Sequence, residues 1–236
     1  MIRISLTFLF ILLSCSVARA NETITLSTHL APNSLVYKTT KAILTEAFRR
    51  VGKDLILRAT PGERPIIEAE NGKTDGDAHR IFDIIKIKKL KNLVRVPEVQ
   101  QVISDYAWSK TVNNLDDGWE GLDKYRVGVH SGSILISEKA TQYAKSVTKV
   151  GKHDLLFEML KLDRFDILIT TPSAAEVLKT NQFKNSGIRK IGKPLTSLPI
   201  YTYLHKRHKD LVSKLAQALR SMKADGSYDK ILSKFD

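Results

Sequence analysis

The last forty residues contain the pattern that most restricts how this chain can fold. An apolar run at residues 200–204 is followed by a basic turn and then by a helix whose apolar residues recur every three to four positions. Its apolar face holds Leu211, Leu215, Leu219 and Met222, and its polar face holds Lys209, Lys214, Arg220 and Lys223. Gly226 is placed to end it. A single helix of this length is marginal in water, so it must pack on something built earlier in the chain.

Two series of alternating strands and helices precede this tail. The first has predicted strands at 24–28, 55–59 and 75–81, and the second has them at 126–129, 147–150, 165–170 and 188–191. Residues 82–118 are less regular, and we place a crossing between two lobes near 99–107. Alternating strands and helices predict an α/β fold, in which helices cover mostly parallel sheets.

The first twenty residues have the pattern of an export signal. Arg3 precedes an apolar stretch at 4–14, and Ala18-Arg19-Ala20 forms an A-x-A cleavage site. We therefore expect a periplasmic protein; the alternative is a lipoprotein, because residues 12–15 resemble a lipoprotein box ending at Cys15. Cys15 is the only cysteine, so after cleavage at Ala20 no disulfide or thiol chemistry is possible.

The chain is strongly basic. Removal of residues 1–20 lowers the 38 Lys and Arg by two, to 36, against 25 Asp and Glu, which leaves a net charge of +11. Most of these bases are spread along the elements, and only residues 86–91 form a dense cluster. The predicted export of the protein argues against nucleic acid as a partner. A lysine-rich surface also promotes solubility.

Several segments resemble the family 3 extracellular solute-binding proteins, the polar amino acid type of periplasmic binding protein. The ending from Leu211 to Phe235, LVSKLAQALRSMKADGSYDKILSKF, resembles the C-terminus of that family. LDKYRVGVHSGS resembles its LkGkkVGVqxGt loop, and LKLDRFDILITTPSAAEVL resembles its gRvDavvxdxpxaxyl segment. NGKTDGDAHRI resembles a GkxDgdxxRi form that occurs in a divergent branch.

The resemblance implies a two-lobed, type 2 periplasmic binding protein-like α/β fold. Residues 1–20 are then the signal peptide, 21–103 with 199–236 form lobe 1, and 104–198 form lobe 2. It also implies a monomeric, non-catalytic protein without cofactor or metal, which closes on a small polar, amino-acid-like solute. We expect the solute to carry a carboxylate or another anion, and the partner to be an ABC permease or a membrane sensor.

Candidate ligand-binding residues follow from the strand ends. Ligands of open α/β sheets sit beyond the carboxyl ends of the strands. The residues predicted there are Thr28, His29, His79, Arg80, Ser131, Gly132, Ser133, Thr170 and Thr171. The loop at 131–133 leads into a helix, where free backbone N–H groups and the helix dipole suit an anion. The alternative for this loop is an ordinary capped turn.

For Arg80 and for Thr171, the sequence is compatible with two roles each. Arg80 either binds an anionic group of the solute or forms a structural ion pair with Asp75 or Asp77. Thr171 either contacts the ligand or caps the helix that begins at Pro172. In the resemblance, Thr171 replaces an aspartate that binds the ligand ammonium, Leu30 replaces a stacking aromatic, and the usual carboxylate-binding arginine is missing. These departures favour an anionic solute without an essential amine.

Two other classes of function stay open. An enzyme on the same fold, similar to cyclohexadienyl dehydratases, needs a positioned general acid or base, for which His79, His130 and Glu63 are the candidates. A basic envelope protein would bind polyanions through Lys86, Lys88, Lys89 and Lys91, although this cluster is equally a solvated face. The sequence contains no GxSxG, HExxH or Walker motif.

Overall fold

The computed structural model describes residues 21–235, so the predicted signal segment with Cys15 lies outside the described residues. Lobe 1 contains the elements β1 (Glu22–Thr28), α1 (Leu35–Arg50), β2 (Lys53–Ala59), α2 (Arg64–Glu70), β3 (Gly76–Ile81), α3 (Ile84–Lys88), β4 (Leu93–Arg95), α6 (Lys209–Ala224) and α7 (Ser227–Leu232). Lobe 2 contains β6 (Arg126–His130), α4 (Ile134–Tyr143), β7 (Ser146–Val150), α5 (His153–Lys161) and β8 (Ile167–Thr170). Two strands, β5 (Gln101–Ser109) and β9 (Arg189–His205), run through both lobes.

The strands form one mixed sheet in the order β2-β1-β3-β9-β5-β8-β6-β7, with β4 paired to β9. Within each lobe the strands of the βα series are parallel: β1 pairs with β2 and β3, and β6 pairs with β7 and β8. The two connecting strands, β5 and β9, are antiparallel to each other and to their neighbours. The α/β fold with a parallel arrangement inside each lobe is therefore confirmed.

The connecting strands β5 and β9 form a two-stranded ribbon between the lobes. Ile103 pairs with Leu198, and these are the positions at which we placed the lobe boundaries. The pairing register shifts between Asp105 and Ala107, because β9 has extra residues near Gly192, whose φ is +66°. This bulge lets one long strand replace the two separate strands predicted at 188–191 and 200–204.

Each lobe has its own apolar core. In lobe 1, α1 and α6 pack on the sheet through Ile43, Phe48, Leu215 and Leu219, all without solvent exposure. The C-terminal helices α6 and α7 thus complete the lobe that begins at the N-terminus. Burial of each such side chain contributes roughly 1.5–3 kcal/mol, which supplies the stability that the isolated helix lacks. Separate clusters around Val127 and Phe157 form the core of lobe 2.

Individual residues of lobe 1 explain where helix α1 begins and how closely strands β3 and β9 approach each other. Ser34 caps α1, because its Oγ accepts a hydrogen bond from the Tyr37 N–H at 3.2 Å. Gly226 has φ +75° and lies between α6 and α7. Gly76 opens β3 against β9, and a Cβ there would lie 2.1 Å from the Tyr203 carbonyl oxygen. Within residues 21–235, no helix combines the length and apolar character needed to cross a membrane.

Candidate functional site

The carboxyl ends of the parallel strands define two candidate edges. We call the ends of β1 and β3 the lobe 1 edge, and the ends of β6 and β8 the lobe 2 edge. A groove of about 230 Å³ runs along β5, lined by Val36 of lobe 1 and by residues 171–173 of lobe 2. Of the predicted site residues, Thr171 lines this groove and the other eight do not. Larger grooves lie on the outer surface of lobe 1 around α1, α6 and α7, away from every predicted site residue.

Arg80 lies near the end of β3 and is partly neutralised by the protein. Its Nη2 donates to Asp77 Oδ2 at 2.8 Å, and the side chains are 13% and 0% exposed. Burial raises the pKa of Asp77, while Arg80 opposes that shift. The Arg80 Nε is buried without a partner among the described residues. Asp75, the other proposed partner, instead binds Arg207 at 2.5 Å and His208 at 2.6 Å. The structural ion pair is therefore present, and the ligand contact of Arg80 stays a prediction.

A second arginine lies at the lobe 1 edge and was missed by the sequence analysis. The Arg95 guanidinium stacks on Phe82 with Cζ 3.6 Å from the ring centroid, and it lies 4.9 Å from the Tyr201 centroid. Tyr203 donates from its hydroxyl to the carbonyls of Ile81 and Phe82 at 2.9 and 2.7 Å, which fixes the end of β3. The only sign of this site in the sequence is an arginine inside the apolar stretch LVRV. That stretch does not show which aromatic side chains contact the arginine.

Two histidines approach each other at the lobe 1 edge. The rings of His29 and His79 meet edge to face with centroids 5.8 Å apart. Burial, then His29 and Arg80, lower the pKa of His79 to about 3. Desolvation by the surrounding protein, then Arg80, lower the pKa of His29 to about 4, although part of its side chain is exposed. Both rings are consequently neutral at pH 7. Thr28 is buried, and its Oγ1 accepts from the Leu30 N–H at 3.3 Å.

The loop at 131–133 uses its backbone amides inside the protein. Gly132 N–H donates to His130 Nδ1 at 3.1 Å, and Ser133 N–H donates to the His130 carbonyl at 2.9 Å. Ser131 N–H donates to the Val150 carbonyl at 2.9 Å. Our expectation of free amides at Gly132 and Ser133 is therefore wrong, because the turn closes on the histidine before it. Contacts between a ligand and the serine hydroxyls stay a prediction.

The end of β8 supplies two threonines. Thr170 is buried, and its carbonyl accepts from Trp108 Nε1 at 3.2 Å. Thr171 Oγ1 accepts from the Ala174 N–H at 3.3 Å and lies 2.9 Å from Ser173 Oγ. Thr171 thus makes the capping contact that was one of its two predicted roles. It also lines the groove beside β5.

A stacked histidine pair lies behind the lobe 2 edge. The rings of His130 and His153 are 4.3 Å apart and nearly parallel. Because His130 Nδ1 accepts from Gly132, its Nε2 is the donor to the Gly151 carbonyl at 3.0 Å. Burial, then His130, lower the pKa of His153. The loop therefore fixes the orientation of the His130 ring.

The ribbon carries a carboxylate that was not predicted. Asp105 on β5 is 8% exposed, and its carboxylate has no hydrogen bond or ion pair with a described residue. Burial raises its pKa to about 6. Thr196, its partner across the ribbon, has a buried Oγ1 that also lacks a partner within residues 21–235. The ribbon thus contains two buried polar groups, the Asp105 carboxylate and the Thr196 hydroxyl, without a hydrogen-bond partner among residues 21–235.

The remaining candidates are less organised. All four lysines of the basic cluster, Lys86, Lys88, Lys89 and Lys91, are exposed, and Lys88 forms an ion pair with Glu63. Glu63 is exposed, and Lys88 lowers its pKa. Residues 21–235 contain no group of three or more His, Cys, Asp or Glu side chains that could hold a metal ion.

Comparison with known sequences gives a limited result. No protein-family model matches the chain. An uncharacterized protein from Shewanella oneidensis is 29% identical over 228 residues, which cover 91% of this chain and 83% of that protein.

Solved structures are similar over nearly the whole chain. A probable amino-acid ABC transporter extracellular-binding protein from Bacillus subtilis has a TM-score of 0.73 at 17% identity and covers 91% of this chain and 97% of its own. An ancestral arginine-binding protein bound to arginine has a TM-score of 0.64 at 20% identity, with coverage of 92% and 99%. The resemblance found in the sequence is thus confirmed at the level of the fold: this chain has the two-lobed fold of the type 2 periplasmic binding proteins.

Proposed function

We propose that the protein is a divergent family 3 solute-binding protein that works in the periplasm. It binds a small, polar, amino-acid-like solute between the lobe 1 edge and the lobe 2 edge. The signal pattern at residues 1–20 supports the periplasmic address. The similar folds of an amino-acid transport protein and an arginine-binding protein support a solute-binding role.

The observation that carries this proposal is the groove along β5. It has walls from both lobes, Val36 on one side and Thr171 on the other, and its floor belongs to the ribbon that joins them. A solute that contacts both walls has more favourable contacts when the lobes approach, so it shifts the population toward a closed form.

The charges at the lobe 1 edge support an anionic group on the solute. Arg80 has one carboxylate partner, and Arg95 has none among the described residues. His29 and His79 are neutral at pH 7, because their pKa values are lowered to about 4 and about 3. The arginines therefore supply the positive charge, and a guanidinium binds a carboxylate or a phosphate in a bidentate manner.

Binding without turnover is the second part of the proposal. Two of the three candidate acid or base residues already have partners: Glu63 pairs with Lys88, and His130 bonds to Gly151. His79 is buried beneath His29, and its lowered pKa makes it a weak base. Delivery of the solute to an ABC permease and presentation to a membrane sensor both require the same closed form.

A ligand screen with a closure measurement tests the function. We expect at least one amino acid, dicarboxylate or phosphorylated solute to raise the melting temperature of the protein without residues 1–20. A solute at a hundredfold its Kd adds about 2.7 kcal/mol to the free energy of unfolding. The same solute should reduce the radius of gyration in small-angle X-ray scattering and remain chemically unchanged after incubation.

The control for this screen is Arg80→Ala, which should abolish the shift with an anionic solute. Absence of any stabilising solute, or stabilisation without a change in the radius of gyration, contradicts a cleft that closes. Conversion of a prephenate-like acid would favour the enzyme. Loss of all binding at moderate salt would favour the lysine cluster instead.

A further inference from the structure

The ribbon strand β5 has an open backbone edge in its first half. β8 pairs with β5 only at residues 106–108, so within the described part of the chain residues 101–105 have β9 as their only neighbouring strand. The consecutive residues 101–104 all line the groove. Side chains of consecutive strand residues point to opposite faces, so the groove runs along the backbone edge of β5 rather than over one of its faces.

Pro199 shows which backbone groups point toward this open edge. It lies opposite Val102 and has no N–H, so these two residues cannot exchange the two hydrogen bonds of a hydrogen-bonded pair. They therefore form a non-hydrogen-bonded pair, in which the N–H and C=O of Val102 point away from β9. This orientation repeats every second residue, so the N–H and C=O of Ser104, opposite Ser197, also point away from β9.

The backbone groups of Val102 and Ser104 have no hydrogen-bond partner among residues 21–235. Val102 is 57% exposed, so this edge is accessible. β8 ends at Thr170, and the chain then turns into a short 3-10 helix instead of continuing along β5. Unpaired N–H and C=O groups at a strand edge are a template for another extended chain.

The spacing of these groups sets the size of the guest. Val102 and Ser104 are two residues apart, which is about 7 Å in a strand. In antiparallel pairing, one guest residue lies opposite Val102, and a second, two positions along, lies opposite Ser104. A single amino acid supplies only one of these residues, whereas a tripeptide supplies both. The groove of about 230 Å³ between Val36 and Pro172 suits a short peptide rather than the strand edge of a folded protein.

We propose that the groove binds a short peptide of at least three residues, which adds as a strand to the open edge of β5. This inference rests on the proposed solute-binding function and specifies the solute class as a peptide rather than a single amino acid. The peptide main chain exchanges hydrogen bonds with Val102 and Ser104. Main-chain pairing depends little on the peptide sequence, so trialanine is a suitable probe.

Isothermal titration calorimetry compares trialanine with two forms that are methylated at one peptide nitrogen. In the paired peptide the nitrogens of the first and third residues face β5, and the nitrogen of the second faces away. Methylation of the third-residue nitrogen should weaken binding about tenfold, because a hydrogen bond is lost. Methylation of the second-residue nitrogen is the matched control and should change the affinity little. Alanine and dialanine should bind at least about tenfold more weakly than trialanine.

Amide hydrogen exchange, followed by NMR, tests the same pairing on the protein. The amides of Ile103 and Asp105 face β9 and should exchange slowly without peptide, whereas those of Val102 and Ser104 should exchange rapidly. Trialanine should slow exchange at Val102 and Ser104.

A proline on the open edge tests the contribution of one backbone donor. Val102→Pro removes a groove-facing N–H without removing a hydrogen bond to β9, and should weaken trialanine binding about tenfold. Val102→Thr keeps that N–H and should bind trialanine more tightly than Val102→Pro does. Circular dichroism and thermal unfolding establish that both variants are folded.

Each outcome decides the inference. No binding of trialanine at millimolar concentration, or equal affinity for the two methylated forms, overturns the strand pairing. Slow exchange at Val102 and Ser104 without peptide also overturns it, and a dimer in analytical ultracentrifugation would then assign the edge to a second copy of the chain. A single amino acid that binds as tightly as trialanine and closes the lobes overturns the peptide class and leaves the proposed function intact. The proposed function fails separately, when neither trialanine nor any solute of the wider screen closes the cleft.

Discussion

The lobe 1 edge and the lobe 2 edge differ in how many of their polar groups already have hydrogen-bond partners within the protein. At the lobe 1 edge, Arg95 has only aromatic partners, and Arg80 and His79 each keep a buried nitrogen without a partner among the described residues. At the lobe 2 edge, the amides of the 131–133 loop and the Thr171 hydroxyl already have partners inside the protein. Unsatisfied buried donors gain most from a ligand, so lobe 1 should supply most of the binding free energy.

This difference suggests an order of events. A solute would bind first to lobe 1, where charge and free donors are concentrated, and lobe 2 would then contribute contacts only in the closed form. Because the lobe 2 edge already has its polar partners, it would gain little from closure unless a solute is present. The following variants test the contrast, from the largest expected effect to the smallest.

The largest effect should come from the buried ion pair of lobe 1. Asp77→Ala leaves Arg80 without its carboxylate partner, and loss of one member of a buried pair costs about 3–5 kcal/mol. Glu176→Ala breaks an exposed pair with Lys179 in lobe 2 and should cost less than about 0.5 kcal/mol. Urea denaturation at pH 7 measures both. Equal losses would show that the two lobes do not differ in this respect.

Acid should lower the free energy of unfolding mainly through lobe 1. The pKa of His79 is lowered from 6.5 to about 3, so the unfolded chain binds more protons than the folded one between these values. Stability is therefore lost as the pH falls below 6.5, by roughly 3 kcal/mol at pH 4. We expect His79→Gln to remove most of this loss in a urea series at several pH values. His153→Gln, the corresponding change in lobe 2, should remove less; the reverse order would contradict the contrast.

The ribbon between the edges should respond to pH with the opposite sign. Burial raises the pKa of Asp105 from 3.8 to about 6, so the folded state binds more protons than the unfolded one in this range. Its contribution is unfavourable above pH 6 and disappears as the pH falls toward 3.8. Asp105→Asn should thus raise the free energy of unfolding at pH 7 by about 3 kcal/mol, with little change at pH 4. Destabilisation at pH 7 would mean that the carboxylate has a favourable partner.

The smallest effects should come from the two capping side chains. Ser34→Ala removes the cap of the sixteen-residue helix α1 in lobe 1 and should cost about 1 kcal/mol. Thr171→Ala removes a longer contact, at 3.3 Å, to a short 3-10 turn in lobe 2 and should cost about 0.5 kcal/mol. Thermal unfolding compares them. A larger loss for Thr171→Ala would show that the end of β8 depends on this threonine more than its geometry suggests.

Local patterns were sufficient for the architecture. The apolar face of α6 and the alternation of strands and helices follow from periodicity within short segments, and the structure has both. The return of the tail to lobe 1 was implied by the family resemblance, and α6 does pack there. Strand ends likewise identified the two edges, since the carboxyl ends of parallel strands hold ligands in open sheets. These features depend on residues that are close together in the chain.

Only the tertiary structure decided which polar groups are free. The sequence left Arg80 with two possible aspartates, and folding assigned Asp77 to Arg80 and Asp75 to Arg207. Arg95 gained its place at the lobe 1 edge because β9 brings Tyr201 beside β3 and β4 from far along the chain. Helix and strand periodicity report which side of an element is buried, but the partner of a buried charge depends on strand order and register. The sequence alone therefore determined the two lobes and their edges, and the pairing of strands determined which side chains remain available to a ligand.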